Sequence, residues 1–241
     1  MIEIKNLTKA FGTTNAVNDL SVTIAKGEIF GLLGENGAGK TTTLRMLATM
    51  LKPTSGTAIL NGYDIKKEPD KVRSELGILF GGESGLYNRL SVRENISYFG
   101  ELNDMDKNTI DNRIKYLAEV FDMNDYIDKR AGKLSKGMRQ KAAFARAIVH
   151  DPNILLLDEP SAGLDVSAML VIQDFIKMQH KLGKTIIFSS HTMSEVDKLC
   201  DRIAIIHKGN LVDTDTVQNF KDKHNSNNLE EIFVRLVGGK Q

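Results

Sequence analysis

The sequence predicts an α/β fold with a mostly parallel sheet, an antiparallel β layer and an inserted helical subdomain. Three observations carry this. Short apolar runs of strand length alternate with longer helical patterns, as βαβ units require. The run 20–24 instead alternates apolar with polar residues, which suits a half-exposed strand in an antiparallel layer. Strand signals stop between about residues 84 and 151. There Ile110, Ile114, Leu117, Ala118 and Phe121 recur at helical spacing with charges between them.

In chain order, strands are expected at 2–7, 20–24, 28–33, 57–60, 77–80, 154–157, 185–189 and 202–206. The run Ile154-Leu155-Leu156-Leu157 is apolar throughout and predicts a central strand covered on both faces. Residues 44–50, 108–121 and 141–149 read as helices. The polar, Asn-rich stretch 221–228 reads as a link to a short terminal helix at 229–236. The expected organisation is one domain over 1–222, interrupted by the helical insertion at about 84–151, then a C-terminal linker and helix over 223–241.

Composition narrows the function. A net charge of +1 over 241 residues gives no basic footprint for nucleic acid. The single cysteine, Cys200, cannot form an internal disulfide, which fits a reducing compartment. Glu3 interrupts what a signal peptide would keep apolar. The apolar runs are strand-length, far short of a bilayer span. The chain is therefore expected in the cytoplasm, with any membrane component on another chain.

Gly34-Glu35-Asn36-Gly37-Ala38-Gly39-Lys40-Thr41 matches G-x-x-x-x-G-K-[ST], directly after an apolar strand and before a helical pattern. Four constrained positions match by chance in about one chain in a hundred of this length. The strand–loop–helix context lowers that further and indicates a P-loop NTPase core. Glycines let successive backbone N–H groups face a triphosphate, and the following helix adds its positive end. Residues Gly34 to Thr42 are thus the expected nucleotide-binding segment, with Thr42 in the first helical turn. Lys40 would reach the β- and γ-phosphates of ATP, and the Thr41 hydroxyl would bind Mg²⁺.

Asp158 and Glu159 end the apolar strand at 154–157 and precede Pro160. At the carboxyl edge of a parallel sheet, Asp158 would stand beside the metal and Glu159 would take a proton from attacking water. His191 follows another strand at the same edge and is expected to reach the γ-phosphate and hold that water. His150, His180, His207 and His224 have no metal-ligand spacing, so zinc is not expected.

Leu134-Ser135-Lys136-Gly137-Met138-Arg139-Gln140 reads by itself as a helix start capped by Ser135. Upstream of Asp158-Glu159 it resembles the signature segment of ATP-binding cassette (ABC) proteins, and the resemblance spans almost the whole chain. It implies that Ser135 and Gly137 contact the γ-phosphate of ATP held by a second cassette. A helix N-terminus with a serine cap is suited to that. Lys136 and Met138 depart from the family pattern. Ser161-Ala162-Gly163-Leu164-Asp165 resembles the segment coupling the two sites across the cassette dimer. Phe11 stands where the family stacks an aromatic ring on adenine, although an ordinary core phenylalanine is an alternative. Where the family usually has a glutamine near Mg²⁺, this chain reads Phe80-Gly81-Gly82-Glu83, so Glu83 or water takes that place.

Within the family, 27–50, 77–83 and 135–141 are similar to bacterial sodium-exporting NatA-type subunits. The resemblance implies an ATPase coupled to export, partnered by a separate transmembrane permease and a second cassette, and peripheral on the inner membrane face. Three rivals remain. A cassette acting on ribosomes or DNA usually has two cassettes or a long coiled-coil insertion, and neither is present. A non-hydrolysing regulator has no need of Glu159 and His191, and a small-molecule kinase leaves 135–140 without a role.

Overall fold

The computed structural model describes residues 1–80 and 85–238. The strands are β1 (Ile2–Phe11), β2 (Thr14–Ile24), β3 (Ile29–Leu33), β4 (Ser55–Leu60), β5 (Tyr63–Asp64), β6 (Leu76–Leu79), β7 (Ile154–Asp158), β8 (Thr185–Ser190), β9 (Arg202–His207) and β10 (Asn210–Thr216). The helices are α1 (Lys40–Leu47), α2 (Pro69–Ser74), α3 (Val92–Glu101), α4 (Lys107–Val120), α5 (Lys136–Ala147), α6 (Val166–Lys181), α7 (Met193–Leu199), α8 (Val217–His224) and α9 (Leu229–Gly238).

A six-stranded sheet in the order β10-β9-β3-β8-β7-β6 forms the frame, parallel except where β10 pairs antiparallel with β9. Its side chains alternate between two cores. Leu155 and Leu157 enter the one built with the helical insertion, while Ile154 and Leu156 enter the one beneath the antiparallel sheet. That second sheet, β2-β1-β4-β5, closes the other side. On β2 the burial alternates as its sequence pattern predicts, with Leu20, Val22 and Ile24 inside.

β7 is buried at every position and paired on both sides, by β6 and β8, so it is an inner strand as expected, although it stands one place from the edge and β3 and β8 are the middle pair. Layers above and below bury an apolar strand whatever its lateral place, so the run reports two covered faces only. Several expectations need correction. The helix expected at 44–50 starts earlier and spans α1, because the glycine loop delivers the chain into helix at Lys40. β5 and β10 were not anticipated. β10 carries Asp213, Thr214 and Asp215 at an edge, where hydrophobic patterning is weak, and joins β9 through Lys208 and Gly209 at φ 46° and 81°. The link expected from 221 is shorter, since α8 continues to His224 and stops at Asn225 with φ 48°. Val217 and Phe220 of that helix are buried, Lys221 pairs with Asp197 and Lys223 is exposed.

The insertion is tied to the frame by aromatic packing. Phe121, at the end of α4, lies 4.8 Å from the Phe175 ring on α6, and Phe144 on α5 is 6.0 Å from Phe175. Phe121 is fully buried. Replacing it with alanine should cost about 3–5 kcal/mol, read as a lower urea midpoint at unchanged slope.

Candidate active site

The parallel register levels the strand ends: Leu33 sits beside Ser190, and Ser189 beside Asp158. The functional side chains gather at this carboxyl edge. At both ends of the loop after β3 the chain passes too close to other backbone for a side chain. A Cβ on Gly34 would stand 2.4 Å from the Ile206 carbonyl, and one on Gly39 would stand 2.4 Å from the Ala16 carbonyl. Gly39 also needs φ 109° as it heads α1, without a side chain to cap the helix. The first-turn N–H groups are thereby left for an anion. Glu35, Asn36 and Gly37 are exposed on the loop, while Ala38 and Gly39 are buried and Thr42 is half-buried in the first turn.

Lys40 curls back over this loop. Its buried ammonium donates to the carbonyls of Gly34 at 2.7 Å and Glu35 at 3.1 Å. Burial pushes its pKa below the ordinary lysine value, while the Glu159 and then the Asp158 carboxylates push it back up. The Thr41 hydroxyl lies 3.0 and 2.8 Å from the two Asp158 oxygens, and Ser189 donates a further hydroxyl to Asp158. This all-oxygen donor set fits Mg²⁺, which favours hard ligands and takes few from protein, the rest coming from phosphate and water.

Glu159 solves a geometric problem. Adjacent strand residues point to opposite faces, yet Glu159 adopts φ 47° and leaves the strand, its N–H held by the Ser189 carbonyl at 3.1 Å and hydroxyl at 3.2 Å. Its carboxylate then meets His191, with Oε1 3.0 Å from Nδ1. Lys40, Thr41, Asp158, Glu159 and His191 therefore converge.

Among the described residues no hydrogen bond or ion pair joins Ser135 or Gly137 to this cluster. Ser135 caps α5, its hydroxyl accepting from the Met138 N–H at 3.3 Å, and Gly137 faces Ala168 and Asp165 at the start of α6. Gln140 donates to the Pro160 carbonyl at 2.8 Å, tying α5 to the turn after Glu159. Phe11 is 53% exposed at the end of β1, with the Lys9 ammonium 5.1 Å from its ring, so it is no core residue. Glu83, the candidate substitute for the missing glutamine, lies outside the described residues. Ser189 was missed by sequence reasoning: only the strand register reveals that its hydroxyl meets Asp158.

The family model described as ABC transporter matches residues 17–162, more than half the chain. The chain belongs to the ABC transporter family. The cassette is an ATP-binding subunit of that family and an ATPase. It is 47% identical over 225 residues to the ABC transporter ATP-binding protein NatA of Bacillus subtilis, covering 93% of the cassette and 92% of that protein. It is 37% identical over 211 residues to the Nod factor export ATP-binding protein I of Burkholderia lata, covering 88% and 69%. Among solved structures, the ATP binding subunit of an ABC transporter superposes with a TM-score of 0.90 at 25% identity, covering 98% of the cassette and 99% of that chain. The dimeric cassette MJ0796, bound to ADP and Pi after hydrolysis, matches in fold with a TM-score of 0.82 at 24% identity, covering 90% and 98%. Among the described residues, no helix is long and apolar enough to cross a membrane.

Proposed function

We propose that the cassette hydrolyses ATP with Mg²⁺ as half of a head-to-tail pair and drives export through a separate permease at the inner membrane face. The observation that carries this is that the candidate residues form two separate groups. Lys40, Thr41, Asp158, Glu159 and His191 gather at the carboxyl ends of β3, β7 and β8, while Ser135 and Gly137 open α5 and make no hydrogen bond to that cluster among the described residues. One copy thus has the parts of two half-sites, and a two-fold pair completes both. The dimeric form of the related cassette MJ0796 supports the pairing.

In this reading the Gly34–Thr42 amides and the Lys40 ammonium hold the triphosphate. Thr41 and Asp158 hold Mg²⁺, which when bound supplies charge neutralisation on the transferred phosphoryl group. Glu159 accepts a proton from water, and His191 keeps that carboxylate and the water aligned. ATP binds the closed pair better than the open one and so favours closure, and loss of the γ-phosphate releases Ser135 and Gly137. In this reading Phe11, exposed at the end of β1, stacks on adenine. Phe11→Ala should raise the ATP dissociation constant about three- to tenfold, as expected for the loss of aromatic packing worth about 1 kcal/mol, with an unchanged melting temperature. Phe11→Tyr should restore the affinity in the same titration.

We assign the helical insertion to the permease: Tyr98 on α3 and Leu102 just after it stand exposed, and Leu102 lines a 360 Å³ groove with Arg146 and His150. Export is supported by the Nod factor export relative. Sodium ions as cargo rest on the resemblance of residues 77–83. The test is flux in inverted vesicles that carry the cassette with its co-purified permease. ATP should drive sodium accumulation inside. ATP hydrolysis without sodium movement would overturn the cargo, and failure to co-purify with any membrane protein would overturn the transporter reading.

A further inference from the structure

Glu195, on the first turn of α7, is 5% exposed, and both its oxygens are taken by hydroxyls from different segments. Ser161 donates to Oε1, and Ser190 donates to Oε2 at 3.0 Å. Ser161 opens the segment 161–165 that follows Glu159 and leads into α6. Ser190 lies between Ser189, which holds Asp158 and the Glu159 N–H, and His191, which meets Glu159. Its hydroxyl also accepts from the Thr192 N–H at 3.0 Å, fixing the backbone turn that carries His191. Around the bridge the packing is open: a cavity of about 180 Å³ is lined by Glu159, Ser161, Gln173, His191 and Glu195. Beside this cavity the carboxylate is a direct side-chain link between the two segments.

We propose that Glu195 is a positioning residue that transmits the placement of segment 161–165 to His191 and Glu159. It acts through Ser161 on one side and Ser190 on the other. The proposal rests on the roles given above to Glu159 and His191.

The test uses the full chain with Mg–ATP and compares kcat, KM, affinity for a fluorescent ATP analogue and melting temperature. Glu195→Ala should lower kcat about ten- to a hundredfold, the scale of a small misplacement of reacting groups, with nucleotide affinity unchanged. Ser161→Ala should lower kcat in the same direction. The double variant should lose no more than Glu195→Ala alone, because both act through one bridge. If Glu195→Ala does not fold, Glu195→Gln keeps the volume and one accepting oxygen and should show a smaller loss of the same kind. Unchanged kcat in both Glu195→Gln and Ser161→Ala would overturn the proposal. So would multiplicative losses in the double variant, or affinity and melting temperature falling in step with kcat. Glu159→Gln in the same assay is independent: normal turnover there would remove the base assignment while leaving the bridge measurable.

Discussion

Glu159→Gln should bind ATP with near-parental affinity, hydrolyse it at least about a hundredfold more slowly, and accumulate as an ATP-dependent dimer on size exclusion. A positioned general base contributes about 10²–10⁴ in rate. The amide keeps the shape of the carboxylate and can still accept a bond from His191 but cannot take the water's proton. Geometry restricts the alternatives. Asp158 is occupied by the Thr41 and Ser189 hydroxyls, whereas Glu159 points out of the strand at φ 47° and its carboxylate meets His191. Slow turnover traps the ATP-bridged pair, since the contact with Ser135 and Gly137 is lost only with the γ-phosphate. Normal turnover in this variant would refute Glu159 as the base.

Lys40→Ala should weaken ATP binding on the order of a hundredfold while lowering the melting temperature by only a few degrees. In the free protein the ammonium satisfies two carbonyls, those of Gly34 and Glu35. They lie on a loop whose next residues are exposed, so water can replace it at a cost of about 1 kcal/mol. A nucleotide loses far more. Charge-assisted bonds to phosphate are worth about 1.5–3 kcal/mol each, and two of them exceed a hundredfold in affinity. Equilibrium titration with a fluorescent ATP analogue reads the first effect and thermal melting the second. Retained affinity would remove Lys40 from the site. A pH dependence follows with a definite sign. Burial lowers the Lys40 pKa while Glu159 raises it. The ammonium therefore loses its proton at lower pH than free lysine, and Glu159→Gln should bring the alkaline loss of ATP binding to still lower pH. A shift to higher pH would contradict the electrostatic contact.

The sequence made the chemistry legible where it is local. The phosphate loop is contiguous, and its two demanding glycines, Gly34 and Gly39, are needed for close backbone approach that any reading of the motif implies. The Asp158-Glu159 pair is likewise adjacent in the chain, and Ser135 announces a helix start that the Met138 N–H completes. Amphipathic spacing in 108–121 located α4 to within one residue at each end, since an apolar stripe facing a core leaves a local pattern.

What the sequence by itself determined was the α/β class, the nucleotide loop and the acidic strand end, because each is written in neighbouring residues. Tertiary structure alone decided which strands stand beside one another, and so that Ser189 completes the Asp158 contact and Glu195 bridges two segments. It also decided that the 154–157 run lies near an edge and that Phe11 stays in solvent. Such facts depend on strand order and register, which pair residues thirty or more positions apart, and no spacing rule within one segment encodes a hydrogen bond across that distance.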